Sequence, residues 1–356
     1  MKWKIYIGIY VNLFELYEYK IEILYILKLN NKMDENYWIV DNWLIFKPEF
    51  NEELNEYYDI INRYSKIIFS NYNEPLIVIE TNNMYEMKYL NNHICNKFNQ
   101  EIDLSNNINL THLTFGNYFN KEIDLSNNIN LTHLTFKENF NQKIDLSNNI
   151  NLTHLTFGWY FNQKIDLSNN INLTHLTFGR IFNQEIDLLN NINLTHLFLG
   201  EYFDNNINLS NNINLEYLIF GYLFNKEIDL SNNINLTHLT FGYKFNQEIN
   251  IPLNLKSLNM KRCNNQYIID NLHNNIVKLK IYSTKLNLDN LPNSIKKLYI
   301  IDYKKELNNL PNSIEYLELD ASYFKIKKIP KNLKTLKCYK NYKYIDDFKD
   351  YEVVYI

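Results

Sequence analysis

"NLTHLTFGNYFN", residues 109–120, decides the fold, because nearly the same words return from Asn130, Asn151, Asn172, Asn193 and Asn235. The leucine at the centre of the phrase marks the step: Leu113, Leu134, Leu155, Leu176, Leu197, Leu218 and Leu239 stand 21 residues apart. The ladder continues through Leu258, Leu279, Leu298, Leu317 and Leu336 at steps of 19 or 21. Twelve rungs at a short fixed period are the signature of a solenoid, in which one repeat buries its apolar face only against the next.

Within a rung the apolar letters are Leu110, Leu113, Phe115, Phe119, Ile123, Leu125 and Ile129, and all seven are expected to fill the coil. The part Leu110-x-x-Leu113-x-Phe115 resembles the leucine-rich-repeat template, whose short strand alternates inward and outward side chains. Leu113 and Phe115 then point in, while His112 and Thr114 point out onto the face where parallel strands stack. Gly116 falls just past the strand, where a positive φ is easily adopted. Lys137 holds that position in the next rung, so the glycine is helpful rather than obligatory. The expected fold is a repeat solenoid, leucine-rich-repeat-like: a curved stack of about 12 short parallel strands with turns on the outer side.

Composition sets the outer limits. A hydrophobic content of 46% over 356 residues excludes general disorder, and a formal charge of −4 gives no global reason to expect nucleic acid. The abundance of Asn, Ile, Lys and Tyr looks like the product of an AT-rich coding sequence. Cys95, Cys263 and Cys338 are far apart, so neither a disulfide framework nor a zinc knuckle is expected. The start, "MKWKIYIGIYVNLF", imitates a signal peptide, yet Asn12 interrupts the apolar run, Glu15 ends it, and no small-residue cleavage site follows. No stretch approaches the length of a membrane span. The recurring Asn-Leu-Thr is a glycosylation sequon that would place a glycan at every strand mouth. An intracellular location is expected on that ground.

Phe119-Asn120-x-x-Ile123, the phrase Leu113-Thr-Phe115-Gly116, and the later "LPNSIKKL" and "LPNSIEYL" resemble FNIP repeats. These are a leucine-rich-repeat variant of slime moulds and of giant viruses of amoebae. The resemblance covers roughly residues 97 to 338. It departs from the family pattern in the first half, where "LSNNINL" replaces Leu-Pro-x-Ser-Leu; the change accounts for the 21-residue rungs. The organisation read from this is an irregular N-terminal cap or small domain over 1–66, a degenerate first repeat over 67–96, and seven 21-residue repeats over 97–250. Shorter LPxS-type repeats follow over 251–338, then a C-terminal cap strand over 339–356. In the cap, Leu54, Tyr57, Ile61 and Tyr64 are spaced as a helix face. The family often carries an F-box there, which would couple the repeats to a ubiquitin ligase. This chain shows no Leu-Pro-led helical motif near its start, so a plain cap is the simpler reading.

The outward stripe is the place to look for a site. His112, His133, His154 and His175, with Thr114, Thr135, Thr156 and Thr177, form a surface ladder about 4.8 Å apart. A row offers an ion at most two neighbouring imidazoles, short of the three or four ligands zinc takes, so no metal is expected and the rings should stack neutral. Near pH 5–6 the row should gain charge and repel itself. No nucleophile elbow, phosphate loop or metalloprotease motif is present; neither enzyme activity nor a cofactor is expected. Asn99, Asn120, Asn141, Asn162, Asn183, Asn225 and Asn246, each after the spine phenylalanine, should form a buried ladder bonded to the adjacent turn. The pattern breaks at His196-Phe198 and Tyr217-Ile219 before His238-Thr240 restores it. Phe198, Tyr217 and Ile219 would together expose an apolar cluster of the kind that centres protein contacts. Further on, Lys278, Lys280, Lys297 and Tyr299 give a basic strip with an aromatic. The expected function is a non-enzymatic interaction scaffold binding a protein on the concave strand face. The alternatives are a ubiquitin-ligase adaptor and a structural array without a specific ligand.

Overall fold

The computed structural model describes residues 34–71, 96–283, 285–320 and 324–356, together with the backbone strands 22–24 and 77–79. In chain order the early strands are β1 (Glu22–Leu24), β2 (Tyr37–Val40), β3 (Trp43–Phe46), β4 (Lys66–Phe69) and β5 (Ile77–Ile79). The periodic region supplies β6 (His112–Thr114), β7 (His133–Thr135), β8 (His154–Thr156), β9 (His175–Thr177), β10 (His196–Phe198), β11 (Tyr217–Ile219) and β12 (His238–Phe241). Then come β13 (Ser257–Met260), β14 (Lys278–Tyr282), β15 (Lys297–Ile301), β16 (Tyr316–Asp320), β17 (Thr335–Cys338) and β18 (Glu352–Tyr355).

Sixteen of these strands form one sheet, in the order β18 to β6, then β4, β3 and β2. Every neighbouring pair from β3 to β18 is parallel, and only β2 returns antiparallel on β3. β1 and β5 make a separate antiparallel pair. The twelve strands β6 to β17 carry the twelve leucines of the sequence ladder as their second residue. The parallel stack also reaches back to β3, before the periodic residues begin. Register places like on like: Leu113 faces Leu134, and His112 faces His133. A strand of three residues is enough because each rung needs only one inward leucine between two outward polar groups.

The core consists of columns. Leu104, Leu110 and Leu113 and their equivalents are fully buried, and so are two phenylalanine columns. Phe115 and Phe119 of one rung stack at 3.8 Å, and Phe119 meets Phe140 of the next at 6.0 Å. The first column extends into the N-terminal segment, where Phe115 stacks on Phe69 at 5.4 Å and Phe69 on Phe46 at 4.8 Å. A short helix, α1 (Tyr58–Ile61), follows a single turn at Leu54–Glu56, and Leu54 and Ile61 close the end of the core. At the other end Phe348 is buried, the Tyr342 hydroxyl donates to the Phe324 carbonyl at 2.9 Å, and β18 covers β17. Cys263 and Cys338 are buried free thiols; burial raises both, Cys263 to about 11. Cys95, the basic apolar start and most of "KIEILYILKL" lie outside the described residues.

Three expectations need correction. The glycines do not supply a positive φ: no described glycine has one. A Cβ on Gly179 would instead meet the Gly158 carbonyl oxygen at 1.8 Å, so the residue is small because two rungs touch there. Second, Ile129 is not in the core. With Ile108, Ile150, Ile171, Ile192, Ile213, Ile234 and Leu253 it forms an exposed ridge, 48–70% accessible at each rung. It sits on a corner between an inward asparagine, Asn128, and the inward Leu131. Third, the asparagine ladder after the spine phenylalanine is half-buried to exposed rather than buried. Its bonding is as expected: the Asn99 Oδ1 accepts from the Asn120 backbone N–H at 2.8 Å, and the pattern repeats to Asn246.

The buried ladder belongs to a different asparagine. Asn107, Asn128, Asn149, Asn170, Asn191, Asn212 and Asn233 are at most 1% exposed. Each Nδ2 from Asn128 on donates to two carbonyls of the previous rung, as Asn170 does to Leu146 at 3.0 Å and Asn149 at 2.9 Å. Proline takes this place at Pro252, Pro292, Pro311 and Pro330. In two of those rungs a serine hydroxyl two residues on makes the bond between rungs, as Ser294 does to Ile276 at 2.7 Å and Ser313 to Ile295 at 2.8 Å.

Candidate functional site

Three surfaces follow from the strand geometry: the outward face of the strands, the turns after them, and the edge before them. On the strand face the histidines form one column of rings. His112, His133, His154, His175 and His196 stack 4.2 Å apart, within 11° of parallel. The column continues through Tyr217 at 4.3 Å to His238 at 4.2 Å, so the tyrosine extends the column as another ring. The tautomer follows from the neighbouring threonine. Thr132 Oγ1 spends its one proton on the Thr111 carbonyl at 2.9 Å, so it can only accept from His133 Nδ1, also at 2.9 Å. Burial lowers all five imidazoles, His112 and His196 to about 4 and His133 and His175 to about 3. Those four rings therefore stay neutral through pH 5–6, and the charging expected there is displaced downwards by desolvation.

The apolar break in this face is less open than the sequence suggests. Phe198 is only 8% exposed, because it stands in register between Thr177 and Ile219; Tyr217 and Ile219 are half-buried. Thr177 is buried as well, while Thr114, Thr135 and Thr156 are half-buried. The basic strip is likewise internally engaged. Tyr299 is buried, with the Lys278 and Lys280 ammonium groups over its ring at 5.7 and 5.9 Å. Lys337 pairs with Glu318 at 3.2 Å, and Tyr316 donates to the same carboxylate at 3.0 Å. Lys297 is exposed. Among the described residues no group of three His, Cys, Asp or Glu side chains is placed to hold a metal, and no helix is long and apolar enough to cross a membrane.

The turns after the strands carry what sequence reasoning missed. Seven rungs share most of their letters, yet the two residues after the glycine position differ every time. They read Asn117-Tyr118, Glu138-Asn139, Trp159-Tyr160, Arg180-Ile181, Glu201-Tyr202, Tyr222-Leu223 and Tyr243-Lys244. From the second of these rungs on, the backbone N–H of the second residue donates to the turn before it and fixes the backbone: Tyr160 to Glu138 at 2.8 Å, Tyr202 to Arg180 at 2.9 Å, Lys244 to Tyr222 at 3.0 Å. Tyr118, Tyr160, Tyr202, Tyr222 and Tyr243 are exposed. The Arg180 guanidinium lies 4.6 Å from the Trp159 ring and 5.6 Å from Tyr202, and its Nε is 2.7 Å from a Glu201 carboxylate oxygen. A comparison of the copies column by column would have exposed this edge.

The edge before the strands is constant where the turns vary. A groove of about 800 Å³ runs along it, lined by Asn109 and Thr111 and their equivalents as far as Asn235. From Asn130 on, each groove asparagine ties its rung to the last, as Asn130 Nδ2 donates to the Ile108 carbonyl at 2.9 Å.

Among solved structures the chain is similar to CroV588, described as a circular LRR protein: 27% identity over 85% of this chain and 58% of that one, TM-score 0.45. It is also similar to the functional domain of InlJ from Listeria monocytogenes, with 17% identity over 67% of this chain and 62% of that one, TM-score 0.46. An internalin, InlF, from the same organism gives 16% identity over 83% and 86%, TM-score 0.46. The chain thus spans about three fifths of the first two proteins. No curated protein matches it. The family described as FNIP Repeat matches residues 282–322, the stretch that contains Leu291-Pro292-Asn293-Ser294 and Leu310-Pro311-Asn312-Ser313. This is narrower than the 97–338 read from the sequence, since the earlier rungs carry "LSNN" where the match has "LPNS". With the stacked parallel strands described above, the chain is a leucine-rich-repeat-like solenoid in which residues 282–322 match the FNIP repeat.

Proposed function

We propose that the chain is a non-enzymatic scaffold that binds a protein partner along the turns after the strands and the adjoining strand face. The observation that carries this reading is the concentration of change in one pair of columns on an otherwise copied rung. Those columns hold Trp, Tyr and Arg, the side chains that dominate protein contacts. They stand on backbone already held by bonds between rungs, so little ordering is lost on binding. Tyr217 and Ile219, with the nearly covered Phe198, are the strand-face anchors, framed by His196, His238 and Lys280. Lys278, Lys297 and Tyr299 extend the polar surround. A face that repeats one pair of groups is poor material for catalysis, which needs dissimilar groups converging at one place. The ubiquitin-ligase adaptor finds no support among the described residues: β2 to β4 and α1 close the end of the coil.

The test is affinity capture from native cell lysate with three baits: the intact chain, a Trp159→Ser/Tyr160→Ser/Tyr202→Ser variant, and a Tyr217→Ser/Ile219→Ser variant. A protein held by the intact chain and lost from the first variant is the expected result; loss from the second alone moves the contact to the strand face. The same proteins on all three baits, or none on any, would overturn the reading.

A further inference from the structure

The ridge from Ile108 to Leu253 is the largest anomaly on the surface. Eight branched aliphatic side chains, each about half exposed or more, stand in a line one strand spacing apart. At roughly 60 Å² of open side chain each they present about 500 Å² of apolar surface, at the upper end for a free-standing monomer. The ridge stops abruptly. Asn274, Asn293, Asn312 and Lys331 occupy its position in the later rungs.

Beside it, over the same rungs, lies the groove that begins at Asn109 and Thr111 and ends at Asn235. Ridge and groove adjoin because Ile108, Asn109 and Thr111 follow one another in the chain, and they share length and pitch because each rung contributes one element to each. Two such copies related by a twofold axis running along the edge, between ridge and groove, would lay ridge into groove and groove over ridge at once, which is the self-complementarity an isologous contact requires. The chemistry permits like to face like. The strip is Ile, Asn and Thr, with Glu216 its single charged lining residue, so two copies meet without strong repulsion. The threonine hydroxyls are already used, donating to a carbonyl and accepting from a histidine, so covering the groove strands none of them. The ridge with the Asn and Thr rows beside it approaches the roughly 800 Å² per partner of a stable interface.

We propose that this edge is a homodimer interface, occupied by a second copy of the chain. It lies at the opposite end of the strands from the variable turns, which stay open in the dimer, and the proposal does not depend on the function assigned to those turns.

Sedimentation equilibrium from submicromolar to tens of micromolar chain is the test, on the intact protein and on an Ile150→Lys/Ile171→Lys variant. Both side chains are exposed, so the variant should keep its circular dichroism and melting temperature. The intact chain is expected to sediment at twice its mass. The variant, losing each ridge side chain twice by symmetry, should associate roughly a hundredfold more weakly or more. A monomeric intact chain, an open-ended series of larger species, or a variant that dimerises as well as the parent would overturn the proposal. A monomer that captures a different protein through this strip would overturn it too.

Discussion

Lowering the pH from 7.5 to 4.5 should weaken the fold through the histidine column, and the size of the effect follows from its stacking. An unfolded imidazole takes up a proton near pH 6.5, whereas burial holds His112 and His196 near 4 and His133 and His175 near 3. Above pH 6.5 both states are neutral and nothing is lost. As pH falls below that value the unfolded chain gains protons that the folded column refuses, and stability drops until the folded values are reached. Over the two pH units down to 4.5 the linkage is about 2.7 kcal/mol per ring, halved to about 1.4 because the rings are partly open to solvent. Four rings then give a loss of about 5.5 kcal/mol. Carboxylates add little in this window, since their unfolded values lie near 4. Urea titrations at pH 7.5, 6.5, 5.5 and 4.5 would measure it, with a variant carrying Gln at positions 112, 133, 175 and 196 as the comparison. A parent that loses less than about 1 kcal/mol, or a Gln variant that loses as much as the parent, refutes the argument.

The buried amide ladder predicts an order of damage. Asn170→Ala removes two buried donations and should cost about 2 kcal/mol in a urea titration, while Asn170→Asp should cost more, because it sets an acceptor against the Leu146 and Asn149 carbonyls. An Asp variant as stable as the Ala one would mean that the amide does not donate there. Gly179→Ala should destabilise by about 3 kcal/mol, since its methyl would lie 1.8 Å from the Gly158 oxygen and force two rungs apart; a neutral melting curve would contradict the close approach. Arg180→Ala should change stability by less than about 1 kcal/mol, as a partly exposed ion pair contributes little, yet shift Trp159 fluorescence when the stacked cation is removed. An unchanged spectrum would argue against the stack.

The period of 21 was enough to place the leucines, the two phenylalanines and the parallel strands, because an inward position on a short strand is dictated by alternation along the chain. The outward His-Thr stripe was legible for the same reason, and so was its stacking. Alternation stops at the strand ends, and there the reading failed. Asn107 and Ile108 are adjacent letters in "SNNINL", and pattern alone favours burying the isoleucine; the coil turns a corner at that point and buries the amide, which donates to the Ile61 and Tyr64 carbonyls, leaving the isoleucine outside. Gly158 and Gly179 looked like conformational devices and proved to be points where neighbouring backbones touch, a distance no single rung contains. Phe198 looked exposed from its parity, but its cover comes from the strands on either side. The pKa of a stacked imidazole also depends on how much water its neighbours remove. The sequence alone was therefore enough for which strand positions face inward. The tertiary structure decided everything that depends on the distance between rungs: which polar groups are buried, which apolar ones are not, and which edge is left for a partner.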